Sequence, residues 1–414
     1  MSRFSLAALC LFLIAAASHS ANWPRFRGPN GTGIASDKNI PIKWSEKDGI
    51  LWKKALPGTG NSSPVIWGDR LFIQTATSQE RLLLCLNVKD GEIVWQRSMP
   101  GVTTRKHPKN TFASSTPATD GTRVYAVFWN GDKVAMYAYD FKGELAWKRD
   151  LDGPFRGRHG VGCSPMVYGD KVFVNNDQTG AAVLIALEAK TGNIAWSVKR
   201  KPFRSCYSTP FLLERPNQAA ELIVDSTAGI TSYNPDTGAE NWSWTWSFDN
   251  MALRTVGSPV YGQGIIFAGS GDGSGARHMV AVKAGGKGDV TETNLAWERK
   301  RDYPYVPSML IRGEHLYYVN DSGVAACIVA RTGKTVWTET LKGGGVTASP
   351  ILVDGKIYAA NENGDVYVFP AATSFKQLAK NSMDEKVMAT PAVADNRLFI
   401  RGDSHLFCIG KNAE

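Results

Sequence analysis

Arginine, histidine and tyrosine gather in three stretches, Gln96–Ser115, Lys148–Cys163 and Ser197–Ser208. Together these hold twelve Lys or Arg against only Asp150 and Asp152. Arg105, His107, Arg156, Arg158, His159, Arg204 and Tyr207 lie in them, and Arg254, Tyr303 and Tyr305 lie in related stretches further on. A guanidinium presents a planar fork of donors that fits a carboxylate or phosphate, and an aromatic ring beside it adds a stacking surface. These ten residues are therefore the candidate ligand-binding site, and the chemistry they offer is capture of an anionic group. Lys148, Arg149, Lys199 and Arg200 directly follow a Trp-bearing strand and read instead as solvated strand charge.

Other chemistry is sparse, and no catalytic residue is assigned. There is no Ser/His/Asp order and no HExxH helix, and no two histidines stand four apart, so no metal site is expected. Gly269-Ser270-Gly271-Asp272-Gly273-Ser274-Gly275 lacks the Lys and the following helix of a phosphate loop and reads as a hairpin turn. Arg401-Gly402-Asp403, an adhesion-like tripeptide, reads as a chance sequence at a hairpin tip. Beyond Cys10 the cysteines are Cys85, Cys163, Cys206, Cys327 and Cys408, an odd, widely spaced set with no CxxC. Cys85, Cys327 and Cys408 read as small core residues. A Cys163–Cys206 disulfide is left open. The whole chain carries +9 over 414 residues. The three basic stretches account for that excess, so the charge is local and argues for a discrete acidic partner and against nucleic acid.

What must position these side chains is a repeat. Gly followed four residues later by Trp occurs at Gly91/Trp95, Gly143/Trp147, Gly192/Trp196, Gly238/Trp242 and Gly333/Trp337, and Trp52 and Trp297 continue the series. A Ser/Thr-Pro step recurs at Pro64, Pro117, Pro165, Pro210, Pro259, Pro350 and Pro391, inverted once at Pro307-Ser308. A period in the forties, filled with short β-branched and aromatic runs between Asp-Gly or Thr-Gly turns, predicts an all-β, eight-bladed β-propeller of four-stranded antiparallel blades. The seven Trp are expected to dock one blade on the next, and Trp244 and Trp246 to serve as rim or packing residues. The last repeat has three strands and Gly49–Leu56 is a fourth without a blade, so the N-terminal strand should complete the last blade and remove the open edge. The seventh repeat has Leu378 near its Trp position and should be the loosest.

Residues 1–20 have the basic, apolar and small-residue order of a signal peptide cut near Ser20. Leu9 stands where a lipobox before Cys10 needs Gly or Ala. Residues 21–48 form an N-terminal extension, 49–410 the propeller and 411–414 a tail. No later run is long enough to cross a membrane, so the mature chain reads as exported, periplasmic or secreted, and monomeric.

The repeats resemble those of the PQQ-like (quinoprotein-like) propeller family, which includes BamB-like exported bacterial proteins. The resemblance rests on segments such as Ala186-Leu187-Glu188-Ala189-Lys190-Thr191-Gly192-Asn193-Ile194-Ala195-Trp196, and on the leader Trp23-Pro24-Arg25-Phe26-Arg27-Gly28-Pro29-Asn30-Gly31-Thr32-Gly33. It implies a non-catalytic scaffold for a protein, peptide or acidic envelope component. The alternative it implies is a divergent PQQ-dependent dehydrogenase with calcium. Against that, no two cysteines are adjacent here, whereas quinoprotein alcohol dehydrogenases of this fold carry a vicinal pair. The residues therefore point to no particular cofactor, and PQQ with calcium stays the alternative that the resemblance implies.

Overall fold

The computed structural model describes residues 22–411 except 156, 180, 181, 249 and 250, and leaves the side chains of 152–154 undescribed. Residues 1–20, read as a signal peptide, lie outside it, as does Arg156. Eight sheets follow one another along the chain. Blades 1 to 7 span 65–100, 118–154, 166–200, 211–245, 260–299, 310–340 and 351–382. Blade 8 takes three strands from 392–409, and its fourth is Ile50–Ala55, paired antiparallel with His405–Ile409. The ring is closed by this N-terminal strand of the propeller, as the repeat register predicts.

Middle strands are packed on both faces by neighbouring blades, so they read as unbroken apolar runs such as Leu82–Leu86, all buried. Outer strands face solvent on one side and alternate, as in Ile93–Pro100. The upper face carries the connections from each outer strand to the next inner strand. The turns with the repeated Gly lie on the lower half.

Trp and Gly form the seams. The Gly192 turn has φ +72°, and a Cβ there would stand 2.5 Å from the Trp147 ring of the preceding blade. The Trp147 indole N–H donates to Ala189 O at 3.0 Å. Trp52, Trp95, Trp196, Trp297 and Trp337 donate likewise to Val88, Phe141, Pro235, Ala330 and Ala372 of the following blade, at 2.9–3.1 Å. Trp242 differs, donating to Glu221 Oε2 at 2.6 Å within its own blade. The next blade replaces the turn Gly with an insertion, whose Gly288–Asp289 pairs with Trp242 and Ser243. Trp244 and Trp246 are buried in the core of this seam.

A second belt explains the Ser/Thr-Pro step. The N–H of Ser63, Thr116, Thr209, Ser258, Ser308 and Ser349 each donates to the hydroxyl of the corresponding residue one blade on, at 2.9–3.0 Å. Ser308 keeps its place in the belt, so the inverted Pro307-Ser308 changes the proline and not the register.

Blade 7 is not left open where its Trp is missing. Ala379 occupies the Trp register, opposite Val368. The extension covers the gap: Trp44 is buried in one cluster with Ala379 and Met383, its backbone N–H donates to Asn381 Oδ1, and the Asn381 amide N–H donates back to Ile42 O.

The leader crosses the lower end of the channel. Trp23 bridges to Ile66 and Pro24 O accepts from Thr119. Ile34–Ala35 adds a parallel strand to Leu352 and Val353. Arg25 reaches Met166 Sδ and Pro210 O. Arg27 reaches Met309 O, Pro350 O and, within the leader, Gly31 O and Thr32 O. Both guanidinium groups are buried and meet no carboxylate among the described residues, and desolvation lowers each pKa to about 9. Inner-strand carbonyls that would line the channel are thus satisfied by the leader, and the channel becomes a cup open on the upper face.

Candidate functional site

The upper connections are pinned from below before they bear any ligand group. Fully buried Arg81 donates to Trp129 O at 2.9 Å and Val102 O at 2.6 Å and lies over the Phe112 ring, which fixes the 101–112 connection. Asn110 holds His159 O at 2.7 Å, and the His107 N–H donates to the same carbonyl. The His107 and His159 rings stack at 5.3 Å with a 16° tilt. Tyr207 N–H donates to Thr255 O, Gly257 N–H to Tyr305 O, and Tyr305 N–H to Asp321 at 2.7 Å. Arg204 donates to Ala252 O at 3.0 Å.

These ties bring five of the candidate residues, His107, His159, Arg204, Tyr207 and Tyr305, together around a sixth, Arg254. Desolvation, then Arg254 and neighbouring groups including Arg204, pushes His159 down to about 4. Desolvation, Lys109, Arg254 and Lys106 lower His107 as well. Burial raises Tyr207 and Tyr305, with Arg254 opposing in both. At neutral pH the mouth therefore holds two arginines, two neutral imidazoles and two phenols. Arg254 Nε and Tyr207 Oη are buried and carry no hydrogen-bond partner. Arg254 makes no ion pair among the described residues. Two buried donors without a partner thus lie in a positive, partly desolvated cluster, and the chemistry such a cluster offers is acceptance of an anionic group.

The other candidates fall elsewhere. Tyr303 is a core residue, 1% exposed, packed with Phe267 and Tyr318. It stands two residues from Tyr305, but only Tyr305 faces the cup. Arg105 and Arg158 are exposed on the connections and make no ion pair among the described residues. The basic stretches also shrink, because three of their arginines serve seams. Arg97 and Arg149 lie two residues past a docking Trp and donate to the Gly143 and Gly192 carbonyls of the next blade, at 2.5 and 2.8 Å. Arg200, expected in solvent, is buried: its Nε is 2.9 Å from Asp177 Oδ1 and its Nη1 donates to Tyr233 Oη. Trp196, Val198 and Arg200 share one strand face by the period of two, and that signal could have placed it inside.

Polar residues at strand ends were missed. Asp225 is wholly buried with both carboxylate oxygens unpartnered, and desolvation raises its pKa well above the usual carboxylate range. Cys163 and Cys206 are both free thiols, pushed up to about 12 by burial. Arg401 is 1% exposed and donates to Ser62 O and Gln74 O, so Arg401-Gly402-Asp403 presents no accessible tripeptide. The glycine-rich 269–275 segment closes a hairpin through Asp272 and Ala276.

The sequence matches the family described as outer membrane protein assembly factor BamB over residues 30–131 and 85–339. The chain belongs to this PQQ-like, BamB-type family. The BamB protein of Shewanella oneidensis is 25% identical over 307 residues, 68% of this chain and 71% of that one. The crystal structure of BamB from Moraxella catarrhalis superposes with a TM-score of 0.64 at 14% identity, over 88% of this chain and 98% of that one. The quinohemoprotein alcohol dehydrogenase of Comamonas testosteroni gives 0.69 at 13% identity, over 97% and 82%. At such identities the two structures show the BamB-type fold alone, which hosts different chemistries. Among the described residues no group of three or more His, Cys, Asp or Glu is placed to hold a metal, and no helix is long and apolar enough to cross a membrane.

Proposed function

We propose that this chain is an exported, non-catalytic binding propeller whose upper mouth captures an acidic group on a protein, peptide or envelope component. The carrying observation is the pair of buried, unpartnered donors, Arg254 Nε and Tyr207 Oη, in a cluster that includes Arg204. The family description and the likeness to BamB of Shewanella oneidensis support a protein partner. The signal-peptide composition of residues 1–20 supports export.

The dehydrogenase reading has a specific test in the donor set. A quinone with calcium needs free carboxylates near the cup. Asp177 is taken by Arg200, Asp272 by the Ser274 N–H and hydroxyl, and Asp321 by Tyr305 and Val306. Asp225 is unpartnered, but burial favours its neutral form. The carboxylates already engaged weigh against that reading, the Asp225 oxygens and Asn175 Oδ1 stay without a partner, and no reaction step is routed through the group.

The experiment is titration of the purified mature chain with a fluorescein-labelled polyglutamate peptide at low salt, where screening is least. Arg204→Gln with Arg254→Gln should weaken binding about tenfold or more, since removing partners of a desolvated charge contact costs on the order of 2–5 kcal/mol. Circular dichroism confirms that the variant folds. Unchanged affinity would refute the reading.

A further inference from the structure

Two large apolar side chains stand in the open beside the Arg254 cluster. Phe203 is 62% exposed and Met251 52%. Neither hangs on a loose backbone. The Phe203 N–H donates to Thr227 Oγ1 at 2.8 Å, and the adjoining Arg204 donates to Ala252 O, the neighbour of Met251. One guanidinium thus ties the segment carrying Phe203 to the segment carrying Met251. Most other exposed large hydrophobics, Val94, Leu145, Ile194, Leu295 and Val336, precede a docking Trp by one or two residues on outer strands, spread around the circumference. That distribution gives no patch. Phe203 and Met251 lie instead on the two segments that Arg204 joins, next to Arg254 with its unpartnered Nε.

We propose that the mouth recognises a polypeptide segment in which an acidic side chain is flanked by apolar ones. The carboxylate would meet Arg254 and Tyr207, and the apolar neighbours would cover Phe203 and Met251. This rests on the anion-binding reading above and narrows its partner class. A highly charged polymer would gain nothing from covering a phenyl ring and a thioether, whereas a mixed acidic and apolar segment complements both features. Interface anchors of this kind place an aromatic beside a desolvated charge contact and exclude water from it.

The test uses the mature full-length chain and two labelled synthetic peptides of equal charge. One alternates glutamate with leucine, and the other alternates glutamate with serine. The leucine peptide should bind about fivefold or more tightly than the serine peptide. Phe203→Ser with Met251→Ser should erase that difference while leaving the salt dependence unchanged. Arg254→Gln should weaken both peptides and flatten the salt dependence. Phe203 and Met251 are exposed, so their replacement leaves the core intact, and circular dichroism checks it. Equal binding of the two peptides, or an unaffected Phe203/Met251 variant, overturns this inference and leaves anion binding standing. Heparin binding at least as tightly as the leucine peptide, with no response to Phe203→Ser, also overturns it. Failure of both peptides to bind overturns the broader reading as well.

Discussion

Gly192→Ala tests the blade seam in a form that can fail. The backbone there has φ +72°, and the new Cβ would stand 2.5 Å from Cδ2 and Cε3 of Trp147. Placing an L-residue in the left-handed region costs about 1–2 kcal/mol. The indole must then move by roughly an ångström to restore van der Waals contact, and overpacking of this kind costs about 1–3 kcal/mol. Weakening the indole bond to Ala189 O adds about 1 kcal/mol. The expected loss is about 3–6 kcal/mol, read as a lower urea midpoint by far-UV circular dichroism at an unchanged slope. Trp147→Ala alone should cost about 3–5 kcal/mol. In that background Gly192→Ala has no ring to strike and should cost only its backbone strain. Gly169→Ala is the control, because φ is +57° and nothing lies within 4 Å of the added carbon. If Gly192→Ala costs the same with and without Trp147, to within about 0.5 kcal/mol, the ring contact is not what the glycine serves.

Three further outcomes follow from buried and titratable groups. Asp177→Asn should destabilise by about 3–5 kcal/mol in urea unfolding, because it leaves Arg200 buried and uncompensated; a loss below about 1 kcal/mol would mean the pair is hydrated. Burial holds Cys163, Cys206 and Cys408 up to about 12, so iodoacetamide at pH 8 should label none of the three in the native chain and all of them in denaturant, by peptide mapping. His159, lowered by desolvation and then Arg254, should stay neutral to near pH 4 in a proton NMR titration. The unfolded chain takes up that proton first, so the stabilisation is complete above about pH 6.5 and is lost as pH falls toward 4. Arg254→Gln should move the midpoint upward, and an ordinary midpoint in the native chain would refute the burial.

The sequence carried the architecture because every blade repeats one physical problem. A turn that needs positive φ, a ring to cover it and a hydroxyl to bridge inner strands recur at fixed spacing, so fold and closure were legible from Gly, Trp and Ser/Thr alone. The site was legible only as far as its connections. His107, His159, Arg204, Tyr207, Arg254 and Tyr305 come from different blades, and their shared cup follows from the ring geometry that the repeats dictate. Burial within one strand was harder to read. Arg97, Arg149 and Arg200 were counted by charge when the face they share with a docking Trp decided their place. Tyr303 and Tyr305 lie in one irregular connection where no strand period applies, so nothing local separated the core ring from the cup ring. The covering of blade 7 by Trp44 could not be read either, since it depends on a contact between chain segments more than three hundred residues apart.

The leader changes what a propeller of this charge can do. A channel open at both ends offers passage, and a basic lining would then favour threading of a long polyanion. Here Trp23 to Ala35 bonds to inner strands of most blades, and two buried guanidinium groups take up carbonyls that a threaded polymer would have to meet. Much of the apparent excess in the three basic stretches is already spent: Arg97 and Arg149 on seams, Arg200 on Asp177, and Lys109 on Glu362. Around Arg254 a few buried donors are left unspent. That quantity suits a single acidic group held at a fixed point, and it makes the number of charges engaged, read from the slope of affinity against salt, the quantity that separates capture from threading. A slope of about one or two charges fits this cup; a slope of six or more would require a path that the leader closes.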